Sequence, residues 1–179
     1  MLTRRHLVVS MLALSAAGCA GQRQPMFQMR TSVEAHPLKN GTGVELLGIE
    51  AAHEAPSASG LNNTFYIWSL VRFREQTPRH ELEVEHHYLG PEIAWSMAQD
   101  SQGNSLSFKP AVRKVTSCTT TQCTFIEIFS VVIADSTLRA SQNAGYSVFI
   151  GSHAGRRKQI TLSPAQIRAQ LAACAAARG

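Results

Sequence analysis

The sequence predicts a mainly β protein: sandwich-like antiparallel sheets with a C-terminal α-helix. Three observations support that expectation. Most apolar residues recur with a period of two, the spacing that lines one face of a strand. Two runs, Thr64–Phe73 and Thr124–Ala134, are apolar on both faces and need cover on two sides, from a second sheet or from a helix. Only the segment opening at Ser163 has a complete helix-start signal. The alternative architecture is α+β, a single sheet covered by that helix.

In chain order, Val44–Ile49 is a short strand bracketed by Gly41, Gly43 and Gly48, and a small-residue loop containing Pro56 follows it. In Thr64–Phe73, Phe65, Ile67, Val71 and Phe73 share one face, while Tyr66, Trp68 and Leu70 share the other. Glu81–Leu89 alternates Leu82 and Val84 with Glu81, Glu83 and Glu85, the pattern of a half-exposed strand with its carboxylates in water. Ile93, Trp95 and Met97 alternate with Ala94, Ser96 and Ala98, the chain turns through Asp100–Asn104, and Leu106 and Phe108 return. This predicts a β-hairpin, with Gly103 supplying the positive φ.

Ala111–Thr116 runs through Ser117–Cys123 into Thr124–Ala134, so these two strands lie side by side. Asp135–Ala144 has room for one or two helical turns, ended by Gly145. Tyr146–Ile150 and Lys158–Leu162 form another hairpin. The last helix has Ser163 as cap, Pro164 at its first position and Gln166 three residues after the cap, the pattern of a capping box. Ile167, Leu171 and Cys174 form its narrow apolar stripe. About eight strands and one strong helix result.

Ahead of this domain, Met1–Gly18 reads as a signal peptide, with Arg4 and Arg5, an apolar run from Leu7 to Leu14, and small residues before Cys19. The run is too short to span a bilayer core, which takes roughly 20 apolar residues. The leader resembles those of bacterial lipoproteins, in which the cysteine is acylated and becomes the first mature residue. Ala16 departs from that pattern, where such leaders usually carry Leu. Thr3–Val8 resembles a twin-arginine export signal. Ala20, rather than Asp, after the cysteine implies by the same resemblance an outer-membrane anchor facing the periplasm. Residues 19–40 are then a lipidated N-terminus and tether, and 41–179 a single globular domain.

Composition narrows the function classes. Hydrophobic residues make up 44% and charged residues 16%, a globular balance. Without the leader the chain has 15 basic against 12 acidic residues, so nucleic acid is not an expected partner. The membrane through Cys19, other envelope proteins or anionic cell-wall polymer are. Ten of the twelve carboxylates are Glu. Asp100 suits a turn and Asp135 a helix start, which argues against an Asp-rich calcium loop and against a Ser–His–Asp triad.

Four constellations stand out. In an exported protein, Cys118 and Cys123 are expected to form a disulfide, with Cys174 left buried and reduced. In the His80–His87 stretch the position four after His80 is Val84, so no zinc-peptidase helix is present. On a strand His80, Leu82, Val84 and His86 share one face, opposite Glu81, Glu83, Glu85 and His87; no metal ligand, catalytic residue or cofactor is assigned. Arg156, Arg157 and Lys158 make a basic hairpin tip, read as a solvated turn that blunts a sheet edge, with contact to lipid or glycan phosphates as the sharper reading. Trp68 and Trp95 are assigned to the core. The function expected is a non-catalytic binding or assembly module on an envelope lipoprotein; the alternative is a small metal-dependent periplasmic hydrolase using the His80–His87 cluster.

Overall fold

A computed structural model describes residues 29–55 and 63–178. The leader, Cys19 and most of the expected tether lie outside these residues, as does part of the loop containing Pro56. The strands are β1 (Glu34–Pro37), β2 (Gly43–Leu47), β3 (Ala51–Ala52), β4 (Thr64–Arg72), β5 (Arg79–Gly90), β6 (Trp95–Asp100), β7 (Ser105–Leu106), β8 (Phe108–Cys118), β9 (Cys123–Ile133), β10 (Tyr146–Ser152) and β11 (Arg157–Leu162). The helices are α1 (Asp135–Ser141) and α2 (Pro164–Ala176).

The strands form two antiparallel sheets. The larger runs β1-β2-β4-β5-β9-β8 with β3 also paired to β4, and the smaller runs β11-β10-β6-β7. Phe65 and Ile67 of β4, Leu82 and Val84 of β5, and Phe129, Val131 and Ile133 of β9 pack in one apolar layer with Val148, Ile150, Ile160 and Leu162 of the small sheet. Leu138 of α1 and Ile167 and Leu171 of α2 join that layer. A second cluster, Leu46, Val71 and Cys174, seats the later part of α2 over β2 and β4. The mainly β sandwich with a C-terminal helix is therefore the architecture, and a helix-covered single sheet describes only the part over β2 and β4.

Local signals explain several elements. Ser163 Oγ accepts from the Gln166 amide while the Gln166 side chain accepts from the Ser163 amide, completing the capping box. Asp100 accepts from the amides of Gln102 and Asn104, which closes the turn at Gly103, where φ is +84°. Cys118 and Cys123 are joined as a disulfide at the tip of the β8–β9 pair, and Cys174 is free and buried.

Four features depart from the sequence reading. β1 lies inside the expected tether and pairs with β2, so the folded body begins before residue 41. Its four residues are all exposed and have no apolar pattern to announce a strand. The 93–108 hairpin is shorter than expected: β6 pairs with β7 only at Ala98–Leu106 and Gln99–Ser105, and chiefly with β10. Past Ser107 the chain changes sheets, and Phe108 pairs with Val131 of β9. β4 is buried on the face of Phe65, Ile67 and Val71, while Trp68 is half-buried on the other face and Phe73 is 56% exposed. The carboxylate face of β5 is only partly wet, because side chains of the neighbouring strands cover it: the Glu81 side chain is 8% exposed and that of Glu85 42%. Glu81 is bound by Arg79, Lys109 and Ser130, and Glu83 and Glu85 are half-buried.

Replacing both Cys118 and Cys123 by Ser is expected to lower unfolding stability by about 2 kcal/mol or less, because the loop they close is small. Denaturant titration measures the loss, and peptide mapping of unreduced protein should join 118 to 123 and leave Cys174 as a thiol.

Candidate functional site

The inner face of β5 carries two buried histidines, His80 and His86, at either end of the apolar pair Leu82 and Val84. Each is the centre of a polar cluster with partners from distant parts of the chain.

His86 belongs to the cluster at the rim of the sandwich. Lys158 alternates with Ile160 and Leu162 on β11, so its side chain turns inward and its ammonium pairs with Glu54. The same ammonium is 3.0 Å from His53 Nδ1. Glu54 Oε2 lies 3.3 Å from His86 Nε2 and accepts from Asn63 Nδ2 at 3.3 Å. On its far side His86 faces Trp95, whose indole Nε1 donates to Nδ1 at 2.9 Å.

These partners fix the tautomers, because an ammonium and an indole N–H only donate. Lys158 makes His53 Nδ1 an acceptor, so the proton sits on Nε2 and is donated to the Glu85 carbonyl at 3.0 Å. At His86 the Lys158 ammonium lies 3.5 Å from Nε2, but the indole donates to Nδ1 at the shorter 2.9 Å and the Glu54 carboxylate is 3.3 Å from Nε2, so the Trp95 bond decides: Nδ1 accepts and the proton sits on Nε2, facing Glu54. Burial, reinforced by the Lys158 charge, pushes both rings down to about 4, and they are neutral at pH 7. Burial also lowers Lys158, against the pull of Glu54. Burial acts to raise Glu54, but bonding to Lys158 and its charge outweigh this and hold the carboxyl below its ordinary value.

This arrangement bears on metal chemistry. A histidine ligand offers the ion a lone pair and donates its other N–H to an acceptor. Trp95 reverses that order at His86, leaving no lone pair on Nε2 while the indole bond holds. Among the described residues, no group of three or more His, Cys, Asp or Glu side chains is placed to hold a metal ion.

His80 belongs to a second cluster. Gln170 Nε2 donates to Ser69 Oγ at 2.7 Å, Ser69 Oγ is 2.7 Å from His80 Nδ1, and His80 Nε2 is 3.0 Å from Asp135 Oδ1. Asp135 accepts only, so His80 carries its proton on Nε2 and Ser69 donates to Nδ1. This is the donor order of a hydrolase triad, which the roles assigned to the two aspartates had argued against. Asp135 stands in the first turn of α1, with Ala134 as cap, and also pairs with Arg139. Ser69 is wholly buried under Gln170 of α2 and His80 is 1% exposed, so a substrate has no approach to the hydroxyl. The chain of bonds instead ties β4, β5, α1 and α2 together.

The remaining candidates separate by face. His80 and His86 point into the core, while Glu81, Glu83, Glu85 and His87 occupy the opposite face of β5, where His87 bonds to Glu85. The His80–His87 stretch therefore does not converge on one point. Burial, with Glu81 nearby, raises Glu83 above its ordinary value. At the β10–β11 tip Arg156 and Arg157 are exposed, but Lys158 is engaged with Glu54 and His53, so the basic tip consists of the two arginines. Trp95 is core, 3% exposed, and Tyr88 stacks on Phe125 with ring centroids 5.3 Å apart.

Beside the His53 cluster, β11, β3 and the start of α2 enclose a cleft of about 540 Å³. Ile49, Phe65 and Ile160 supply apolar lining, and His53, Gln159 and Thr161 supply polar groups. Sequence reading missed His53, Glu54 and Ser69. Only Lys158 left a signal, its alternation with Ile160 and Leu162 marking it as inward-facing. No protein-family model matches the chain, and no curated protein or solved structure is significantly similar to it.

The neutral histidines set a pH dependence. The unfolded chain takes up protons at His53 and His86 near the ordinary value of 6.5, whereas the folded chain takes them up only near 4. Stability is therefore lost as pH falls between those values. Urea midpoints measured from pH 7 to pH 4.5 should decline, and a His53→Gln, His86→Gln double variant should show a flatter decline. An equally steep decline in that variant would contradict the assignment.

Proposed function

We propose that this protein is a lipid-anchored protein of the bacterial cell envelope, and that its β-rich domain is a non-catalytic binding or assembly module facing the periplasm. The observation that carries the reading is the pairing of a lipoprotein-like leader ending at Cys19 with a domain that carries the Cys118–Cys123 disulfide. Disulfides persist in oxidising compartments outside the cytoplasm. The anchor is Cys19, and Ala20 favours the outer membrane. Attachment in this reading rests on the acyl chains at Cys19; among the described residues, no helix is long and apolar enough to cross a membrane.

The chemistry of the polar clusters supports a binding role over a catalytic one. Ser69 has no approach for a substrate, and the His86 tautomer presents a proton where a metal ligand would present a lone pair. A module of this kind would be held near the membrane and would engage other envelope proteins or anionic cell-wall polymer.

Replacing Cys19 by Ser should abolish acylation, leave an unprocessed precursor of slower migration and change membrane fractionation. Metabolic labelling with a fatty-acid analogue, followed by fractionation, checks this. Unchanged processing and unchanged fractionation of Cys19→Ser would contradict the anchor.

A further inference from the structure

The cleft between the two sheets is flanked by strand edges. At the β10–β11 turn, the Ser152 amide donates to the Arg156 carbonyl at 3.0 Å, so Ser152 directs its peptide groups toward β11. Alternation along an antiparallel pair then assigns Lys158, Ile160 and Leu162 to bonding with β10. Arg157, Gln159 and Thr161 direct their N–H and C=O groups away from it. Among the described residues nothing pairs with those groups, and β11 ends its sheet. Gln159 and Thr161 line the cleft, and across it lies Ala52 of β3. The His53 amide donates to the Asn63 carbonyl at 2.9 Å, and by the same alternation the peptide groups of Ala52 face away from β4.

Natural sheet edges are commonly blunted by proline, bulges or inward-pointing charge. β8, the last strand of the large sheet, has Pro110 and two register shifts. β11 has neither proline nor a register shift against β10, its one inward charge, Lys158, is neutralised by Glu54, and the edge charge expected to blunt it is confined to Arg157 at the turn end, leaving Gln159 and Thr161 uncharged.

We infer that the β11 edge is a strand-addition site for an extended peptide segment of a partner protein. This rests on the binding-module reading of the domain and names the chemistry of the partner. The added strand pairs its backbone with Arg157, Gln159 and Thr161. Its inward side chains are small and apolar, because they meet Phe65, Ile160 and Ala51; its outward side chains are polar, beside Gln159 and Thr161. An acidic residue at the turn end complements Arg156 and Arg157, both exposed there. The charge at the turn end and the apolar lining describe the segment sought, and a second copy of the chain is the competing occupant that the test separates.

The probe is an acetylated, amidated hexapeptide of sequence Glu-Val-Thr-Val-Thr-Val, with a twin N-methylated on alternate amides so that it cannot pair. Amide hydrogen exchange is followed in the full chain, in detergent micelles. In the free protein the amides of Arg157, Gln159 and Thr161 should exchange fast; millimolar peptide should slow them about tenfold and the methylated twin should not. Arg157→Glu should weaken peptide binding by about fivefold to tenfold.

Slow exchange of these amides in the free chain, no slowing by peptide, or equal slowing by the twin would overturn the proposal. Slowing that follows protein concentration alone would replace the partner peptide by a second copy of the chain. Fractionation reads the anchor separately. A membrane-bound chain with unprotected amides loses only the β11 site, and a protected but soluble chain loses only the anchor.

Discussion

Glu127 places a carboxylate in the inner face of the large sheet, 2% exposed, and four donors converge on it from the segments that have to be brought together. The Ala94 and Trp95 amides donate at 3.0 Å each, Arg113 Nε donates at 3.3 Å, and the Tyr88 hydroxyl completes the set. An unsatisfied buried carboxylate would be costly, so these bonds dictate where the chain goes after β5. Ala94 is held at a φ of +56°, a left-handed conformation uncommon for alanine, and the two amide bonds around it offset that strain. Burial, together with the neighbouring Glu127, raises Tyr88 above its ordinary value and keeps it a donor.

The consequences of this anchor spread outward. It fixes the start of β6 and with it Trp95, whose indole N–H selects the His86 tautomer. His86 in turn presents a proton to Glu54, and Glu54 holds Lys158, so β11 is drawn against the segment leading out of β3. The cleft lies beside that contact, with His53 in its lining. The Ser69–His80–Asp135 chain does comparable work at the other end of β5, where it locks both helices to the sheet. Both arrangements tie distant elements of the sandwich together.

Much of the fold was legible because its signals are local. The double-faced apolar run of β9 marked an inner strand, and Ser163, Pro164 and Gln166 marked the start of α2 within a residue. What was illegible depends on partners far along the chain. Glu81, Glu83 and Glu85 read as a wet face because alternation cannot reveal that Lys109 and Ser130 will cover one of them. β1 left no apolar trace, since an edge strand exposed on both faces is specified by the strand it joins. The site was largely hidden for the same reason. His53 and Glu54 occupy a small-residue stretch, and they acquire meaning only when Lys158, more than a hundred residues later, reaches them.

The dependence of the rim cluster on Glu127 is open to direct measurement by histidine 15N NMR at neutral pH. The account predicts that His86 in the native chain is neutral and protonated on Nε2, with Nδ1 shifted as a hydrogen-bond acceptor, and that Glu127→Ala abolishes this fixed tautomer by releasing Trp95. A His86 protonated on Nδ1 in the native chain, or an unchanged His86 spectrum in Glu127→Ala, would contradict it.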